Sequence, residues 1–315
     1  MPGGALAEGA PPGPMAAQPD RDGDRPEDKG RRAGEQAKGH RDRAYTRMRM
    51  GARGERRGAR RGLGWRSMNL GLQDRVALVT GASQGMGLAI GRALAAEGAR
   101  VAISSRTRER IEAAAAAIGA RPYVHDMADL DGAPALLDGV ERALGPLSVL
   151  VTNTGGPPGG DPLEFTREQW QEAHRELMLG PMALIGRALP GMRERGFGRI
   201  LNISSTAARE PIPSLMLSSA HRSGMLATFR TLAGKVAGDG VTLNTILPGR
   251  IATDRMAQMH GSLARAEQVA RDEVPAARLG TVEEIAAAAA FLCSAPAGYV
   301  TAQALAVDGG LMHGA

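Results

Sequence analysis

From Arg75 onward, short apolar runs alternate with longer Ala-rich segments whose apolar positions recur at helical period. RVALVT, RVAISS and RPYVHD are separated by GLAIGRALAAEG and RERIEAAAAAIG, which predicts strand, helix, strand, helix, strand. The pattern continues with a helix near Ala133 to Leu144, the strand LSVLVTN, a long helix from about Thr166 to Arg195 and the strand GRILNISS. A helix from about Ser214 to Ala237 and the strand GVTLNTILPG follow. These strands are rich in Val, Ile and Leu without alternation, as expected of strands buried on both faces. Right-handed crossovers then predict an α/β fold, a doubly wound parallel sheet of about seven strands with helices on both faces. Pro181, inside the long helix after Gly180, should remove a hydrogen bond and kink it.

Composition changes abruptly near Met68. Residues 1–67 hold 16 Lys/Arg against 9 Asp/Glu, and their only Leu, Ile, Val or Phe residues are Leu6 and Leu63. Such a segment cannot bury a core, so it reads as a disordered basic extension. It also reads as sequence ahead of the true start, because MNLGLQDRVALVTG from Met68 is a complete opening for a domain. Both readings are preferred to a nucleic-acid or acidic-membrane arm built on the arginines between Arg41 and Arg61. Residues 68–315 hold 23 Lys/Arg against 24 Asp/Glu, so the chain's net charge of +6 belongs to the extension. These residues are expected to form one nucleotide-binding domain.

No apolar stretch approaches the ~20 residues of a membrane helix, and no continuous apolar segment marks a secretory signal; a cytoplasmic protein is expected. Cys293 is the only cysteine, which excludes an internal disulfide, and its place after IAAAAAFL suggests a helix packing residue. No His, Cys and carboxylate cluster has metal-ligand spacing, and no metal is expected.

TGASQGMG, Thr80 to Gly87, follows the first strand and opens the first helix, the setting that turns a glycine pattern into a phosphate site. Gly81 permits the tight turn, Gly85 lets the backbone approach a pyrophosphate, and Gly87 lets helix pack on strand, while free amides face the anion. The second strand ends in Ser104, Ser105 and Arg106, with no carboxylate before Glu109. An acid there would bind a ribose 2′-hydroxyl, whereas an arginine accepts a 2′-phosphate. NADP(H) is therefore expected in preference to NAD(H), with Arg108 a second candidate for the phosphate or a solvated charge.

These residues resemble the short-chain dehydrogenase/reductase family, most closely its 3-oxoacyl-carrier-protein-reductase-like members, over about 72–311. HDMADL contributes Asp126 and Met127, which match the family's adenine-binding position; TNTGG, with Asn153 and Gly155, replaces the usual NNAG. LPGRIAT contributes Pro248, Gly249, Ile251 and Thr253 of the nicotinamide-side loop, and TAQALAVDGG resembles the last strand and turn. The resemblance implies a Rossmann fold in which the turn residues Gly81, Ser83, Gln84, Gly85, Met86 and Gly87 hold the cofactor. It also implies a homotetramer or dimer acting on a small-molecule carbonyl or alcohol.

Family members carry an Asn, Ser, Tyr and Lys tetrad. GRILNISS aligns Ser205 with the catalytic serine, Ser204 being the alternative if the register slips by one. The tyrosine position is then Ser218, the lysine position Arg222, so that SxxxR stands for YxxxK, and the asparagine position is Leu177. Spacing i to i+4 keeps Ser218 and Arg222 on one helix face. A serine hydroxyl is far too weak an acid to replace a tyrosine, whereas Arg222 can grip the ribose and stabilise a developing alkoxide. His221 and His174 are further candidates for a proton donor, although His221 points about 100° away from Arg222. Two functions follow: an NADP-dependent oxidoreductase with an atypical active site, or a weak or inactive NADP(H)-binding sensor or partner subunit. The loops Gly155 to Pro162, Arg209 to Leu215 and Arg250 to about Arg278, the last with Met256 and Met259, should frame the substrate.

Overall fold

A computed structural model describes residues 68–314; the basic extension inferred for 1–67 lies outside the described residues. Strands β1 (Val76–Val79), β2 (Arg100–Ser105), β3 (Arg121–Val124), β4 (Leu147–Asn153), β5 (Gly198–Ile203), β6 (Val241–Pro248) and β7 (Ala304–Val307) form one sheet. Its order is β3-β2-β1-β4-β5-β6-β7, with every pair parallel. The order reverses between β1 and β4, which leaves a crevice beyond their carboxyl ends, where open α/β sheets bind ligands.

The helices are α1 (Gly85–Ala96), α2 (Arg108–Ile118), α3 (Ala133–Leu144), α4 (Arg167–His174), α5 (Gly180–Glu194), α6 (Met216–Val236), α7 (Asp254–His260), α8 (Leu263–Glu273) and α9 (Val282–Leu292). Both sheet faces are covered, which is why the strands lack polar alternation. Ala77 and Val79 pack with Ile90, Ile111 and Ile285 on one face, while Val76 and Leu78 pack with Leu137, Leu184 and Phe229 on the other. Cys293 caps α9, and burial pushes its thiol up to about 12, with Arg199 opposing the shift. Among the described residues no helix is long and apolar enough to cross a membrane.

The long helix expected from about Thr166 to Arg195 is interrupted. Thr166 opens α4 with a reciprocal capping box to Gln169, and one π-helical turn, Arg175–Leu179, separates α4 from α5. Pro181 stands in the first turn of α5, so its missing N–H falls just after the widened turn. The π turn has a consequence for the site: it carries Leu177, buried, and Glu176, which faces the cleft beyond β2.

Candidate active site

The ends of β1 and β4 are tied together at the crevice. Thr80 Oγ1 donates to the Asn153 carbonyl at 2.9 Å and accepts from its amide at 2.9 Å, and Asn153 Nδ2 donates to the Gly81 carbonyl at 2.9 Å. Gly81 and Gly85 both have positive φ, 56° and 57°, which a side chain would strain. A Cβ on Gly87 would lie 2.5 Å from the Gly81 carbonyl oxygen, so its hydrogen is what lets α1 start against the turn. Gln84 provides no side-chain cap, and the first turn of α1 holds no acidic residue. The amides there are open to an anion, and the dipole favours one.

A cleft runs from this turn toward the sheet edge, lined by Gly81, Ser83, Gln84, Arg106, Asp126 and Met127 among others. The buried Ser104 hydroxyl beneath it has no hydrogen-bond partner among the described residues. Glycine cradle, open amides and an orphaned hydroxyl together fit a dinucleotide. Arg106 is exposed and lies 3.7 Å from Glu176, whose carboxyl is raised above its ordinary range by burial, with Arg106 opposing the shift. Arg108 turns away to Glu112 at 3.3 Å, and Arg110, two positions on, lines the cleft instead. Neither Arg110 nor Glu176 stands out in the sequence: the first is one of several charges at the start of α2, and the second reaches the cleft only through the π turn.

A second cavity, about 200 Å³, adjoins the cleft and shares Asn153, Thr154, Gly155 and Gly156 with it. Ser205, Ser218, Arg222, Pro248, Gly249, Ile251, Thr253 and Met86 line it, so these candidates, separated in the chain, come together. Gly85 lines a neighbouring recess with Met86 and Thr253, whereas Gly87 acts in packing only. Ser204 and Ser205 differ in access: the Ser204 hydroxyl is sealed without a partner, while Ser205, half-buried, accepts from the Ala207 amide at 3.2 Å. Ser205 is the one of the pair that a ligand can reach.

Arg222 is buried and holds three groups. Its Nε donates to Ser218 Oγ at 3.1 Å, Nη1 to the Ile203 carbonyl at 3.0 Å and Nη2 to the Gly155 carbonyl at 2.9 Å. Burial, with the like charge of Arg255 added, pushes its guanidinium down to about 10, so it remains a cation at neutral pH. His221 sits on another face of α6: Nδ1 is 2.7 Å from the Leu217 carbonyl and the ring packs near Trp170 and His174. Neither histidine lines the cavity. All three expected framing segments supply lining residues: Gly155 and Gly156 from the first, Ile212 and Leu215 from the second, Met256 and Met259 from the third. Arg255, next to Met256 within the third segment, was not singled out by the sequence; its guanidinium bonds the Gly156 and Pro157 carbonyls, each at 3.1 Å.

The sequence model of the family described as enoyl-(acyl carrier protein) reductase matches residues 81–312, which takes in both the turn and the cavity. The chain belongs to the short-chain dehydrogenase/reductase family. A relative within this family is an acetoacetyl-CoA reductase of Rhizobium meliloti, 35% identical over 241 residues, 75% of this chain and 98% of that protein. Another short-chain dehydrogenase/reductase, an inactive 2-(S)-hydroxypropyl-CoM dehydrogenase of Xanthobacter autotrophicus, is 37% identical over 225 residues, 70% of this chain and 98% of that one. Among solved structures, an NADPH-bound short chain oxidoreductase from Pseudomonas aeruginosa PAO1 containing an atypical catalytic center is similar with a TM-score of 0.73. It is 33% identical, and the match covers 78% of this chain and 99% of that one.

Proposed function

We propose that the protein is an NADP(H)-dependent oxidoreductase that reduces a carbonyl, or oxidises the alcohol, in a site built on Ser205, Ser218 and Arg222. The observation that supports this reading is the wall shared by the dinucleotide cleft and the cavity, Asn153 to Gly156, across which a carbonyl in the cavity would lie next to a cofactor in the cleft. When bound, the reduced nicotinamide supplies a hydride to the carbonyl carbon. Ser205 donates to the carbonyl oxygen. Arg222 holds the ribose side and stabilises the negative charge that develops on that oxygen. Ser218 accepts from Arg222 and orients it, and the proton that completes the alcohol comes from water at the cavity mouth.

Losing a general acid costs roughly 10²–10⁴ in rate, about 3–5 kcal/mol, whereas positioning two reactants supplies about 7–11 kcal/mol. Turnover without a tyrosine is therefore physically allowed. The test is incubation with deuterium-labelled NADPH and a small-molecule extract, with products one mass unit heavier sought by mass spectrometry. Label is expected with the native protein and reduced about 10²–10³-fold in Ser205→Ala, with NADPH affinity unchanged. Equal labelling by the variant would remove Ser205 from the mechanism.

Cofactor choice has its own test. Arg106→Ala is expected to weaken NADPH binding about 10–100-fold and NADH binding little, because only NADPH carries the 2′-phosphate. Glu176→Gln, which releases Arg106 from its carboxylate neighbour, should tighten NADPH a few-fold. Titration of both cofactors by fluorescence checks this, and equal losses for both would remove the 2′-phosphate role from Arg106.

The second reading is a cofactor-binding protein with little or no turnover. The bond between Ser218 and Arg222 favours it, since neither partner is an acid suited to neutral pH, and so does likeness to a relative described as inactive. NADPH binding with no label transferred across a broad substrate extract supports that reading.

A further inference from the structure

Charge is distributed unevenly along the cleft. The cleft is lined by the carboxylates Asp126, Glu172 and Glu176 together with Arg106, Arg110 and Arg255, the last shared with the inner cavity. No Asp or Glu among the described residues lines the inner cavity, which has three arginines, Arg222, Arg250 and Arg255. Arg250 is neutralised by Glu273. Among the described residues, Arg222 and Arg255 bond to neutral oxygens: the Ile203, Gly155, Gly156 and Pro157 carbonyls and the Ser218 hydroxyl. Arginines bonded only to carbonyls occur elsewhere among the described residues, as at Arg142, Arg195 and Arg199; Arg222 and Arg255 are distinguished by lining one cavity that holds no carboxylate.

Two cations facing one cavity without an anion repel each other and raise the cost of keeping Arg222 out of water. A bound anion would relieve both effects. Arg255 is the one able to meet it, since its side chain is exposed at the rim and a carboxylate outcompetes a carbonyl for a guanidinium. Apolar side chains make up much of the rest of the cavity lining: Met86, Ile212, Leu215, Met256 and Met259.

We infer that the cavity takes a carbonyl compound bearing a carboxylate, with Arg255 holding the carboxylate and the apolar wall holding the carbon chain. This substrate class rests on the reductase reading for its chemistry but not for its binding. Arg255 also lines the dinucleotide cleft and borders the recess near Gly85 and Met86, where a cofactor phosphate would approach, so the experiment must separate the two anions.

The experiment is calorimetric titration of the NADP⁺-loaded protein, which cannot reduce its ligand, with 4-oxopentanoate and 2-oxooctanoate and with their methyl esters. At least one acid is expected to bind about tenfold or more tighter than its ester, and Arg255→Gln should bring the pair within about twofold. Arg255→Lys, which keeps the charge but not the forked geometry, should retain part of the preference. Esters binding as well as acids, no acid binding in the millimolar range, or a preference that survives in Arg255→Gln would each overturn the proposal. So would a loss of NADP⁺ affinity in Arg255→Gln with the preference intact, which would make Arg255 a cofactor residue. Acid binding without label transfer from labelled NADPH would leave the anion site standing and sink the reductase reading; transfer to neutral carbonyls without acid preference would do the reverse.

Discussion

Arg222→Met is expected to lower kcat/KM by about 10³-fold while the protein stays folded. One guanidinium donates to the Gly155 and Ile203 carbonyls and to Ser218, so the substitution removes the charge proposed to stabilise the reacting oxygen and also loosens the wall between cleft and cavity. Removing a donor aimed at developing negative charge costs roughly 10²–10³, and the displaced wall accounts for the rest. Arg222→Lys should recover part of the loss, because a point charge replaces the fork. Stability is expected to change little: two carbonyls lose a donor, at about 1–3 kcal/mol, while a buried cation without a carboxylate partner is removed, an opposing effect of similar size. Because burial lowers the Arg222 value to about 10, the unfolded chain binds the extra proton above that pH. Native stability gains from this group as pH rises through about 10 toward the ordinary arginine range, a gain that Arg222→Met lacks. Steady-state kinetics and urea unfolding at two alkaline pH values check both parts; unchanged turnover would exclude Arg222 from the active site.

Gly87→Ala is expected to abolish cofactor binding, at least about 10²-fold, and to lower the melting temperature. A Cβ there meets the Gly81 carbonyl oxygen at 2.5 Å, Asn153 Nδ2 at 2.8 Å and Ala82 Cα at 2.9 Å; two are backbone atoms, and the Asn153 amide is held by its bond to the Gly81 carbonyl. The first two are partners in the bond that ties β1 to β4, so relieving the clash breaks that bond and moves the turn proposed to hold the cofactor phosphate. Overpacking of this kind costs about 1–3 kcal/mol, or roughly 2–10 °C for a domain of this size. Gly85 differs: the nearest atom to its Cβ is Thr253 Cγ2 at 3.7 Å, so Gly85→Ala meets strain from positive φ but no clash. Thermal melting with and without NADPH separates the two glycines, and an unaltered NADPH-induced shift in Gly87→Ala would contradict the packing role.

Much of the candidate site was legible because it rests on local rules. The glycine turn, the serine after β5 and the i to i+4 pair on α6 are each set by a few neighbouring residues, and all line or shape the crevice. Contributions from charged side chains were legible only in part. Arg108 and Arg110 are alike in sequence, yet Arg108 pairs with Glu112 along the helix while Arg110 faces the cleft. Arg255 meets Gly156, 99 positions away, and no local period encodes that contact.

The sequence by itself determined the parallel sheet, its helices and the phosphate turn, because hydrophobic period, crossover handedness and the steric demands of glycine act over short stretches of chain. Only the tertiary structure decided which of Ser204 and Ser205 is reachable, how the chain widens into a π turn before Pro181, and which arginines lack a carboxylate. The reason is physical. Whether a side chain is buried, paired or aimed into a cavity depends on what distant segments place against it, and a charge in the sequence carries no record of its neighbours in space.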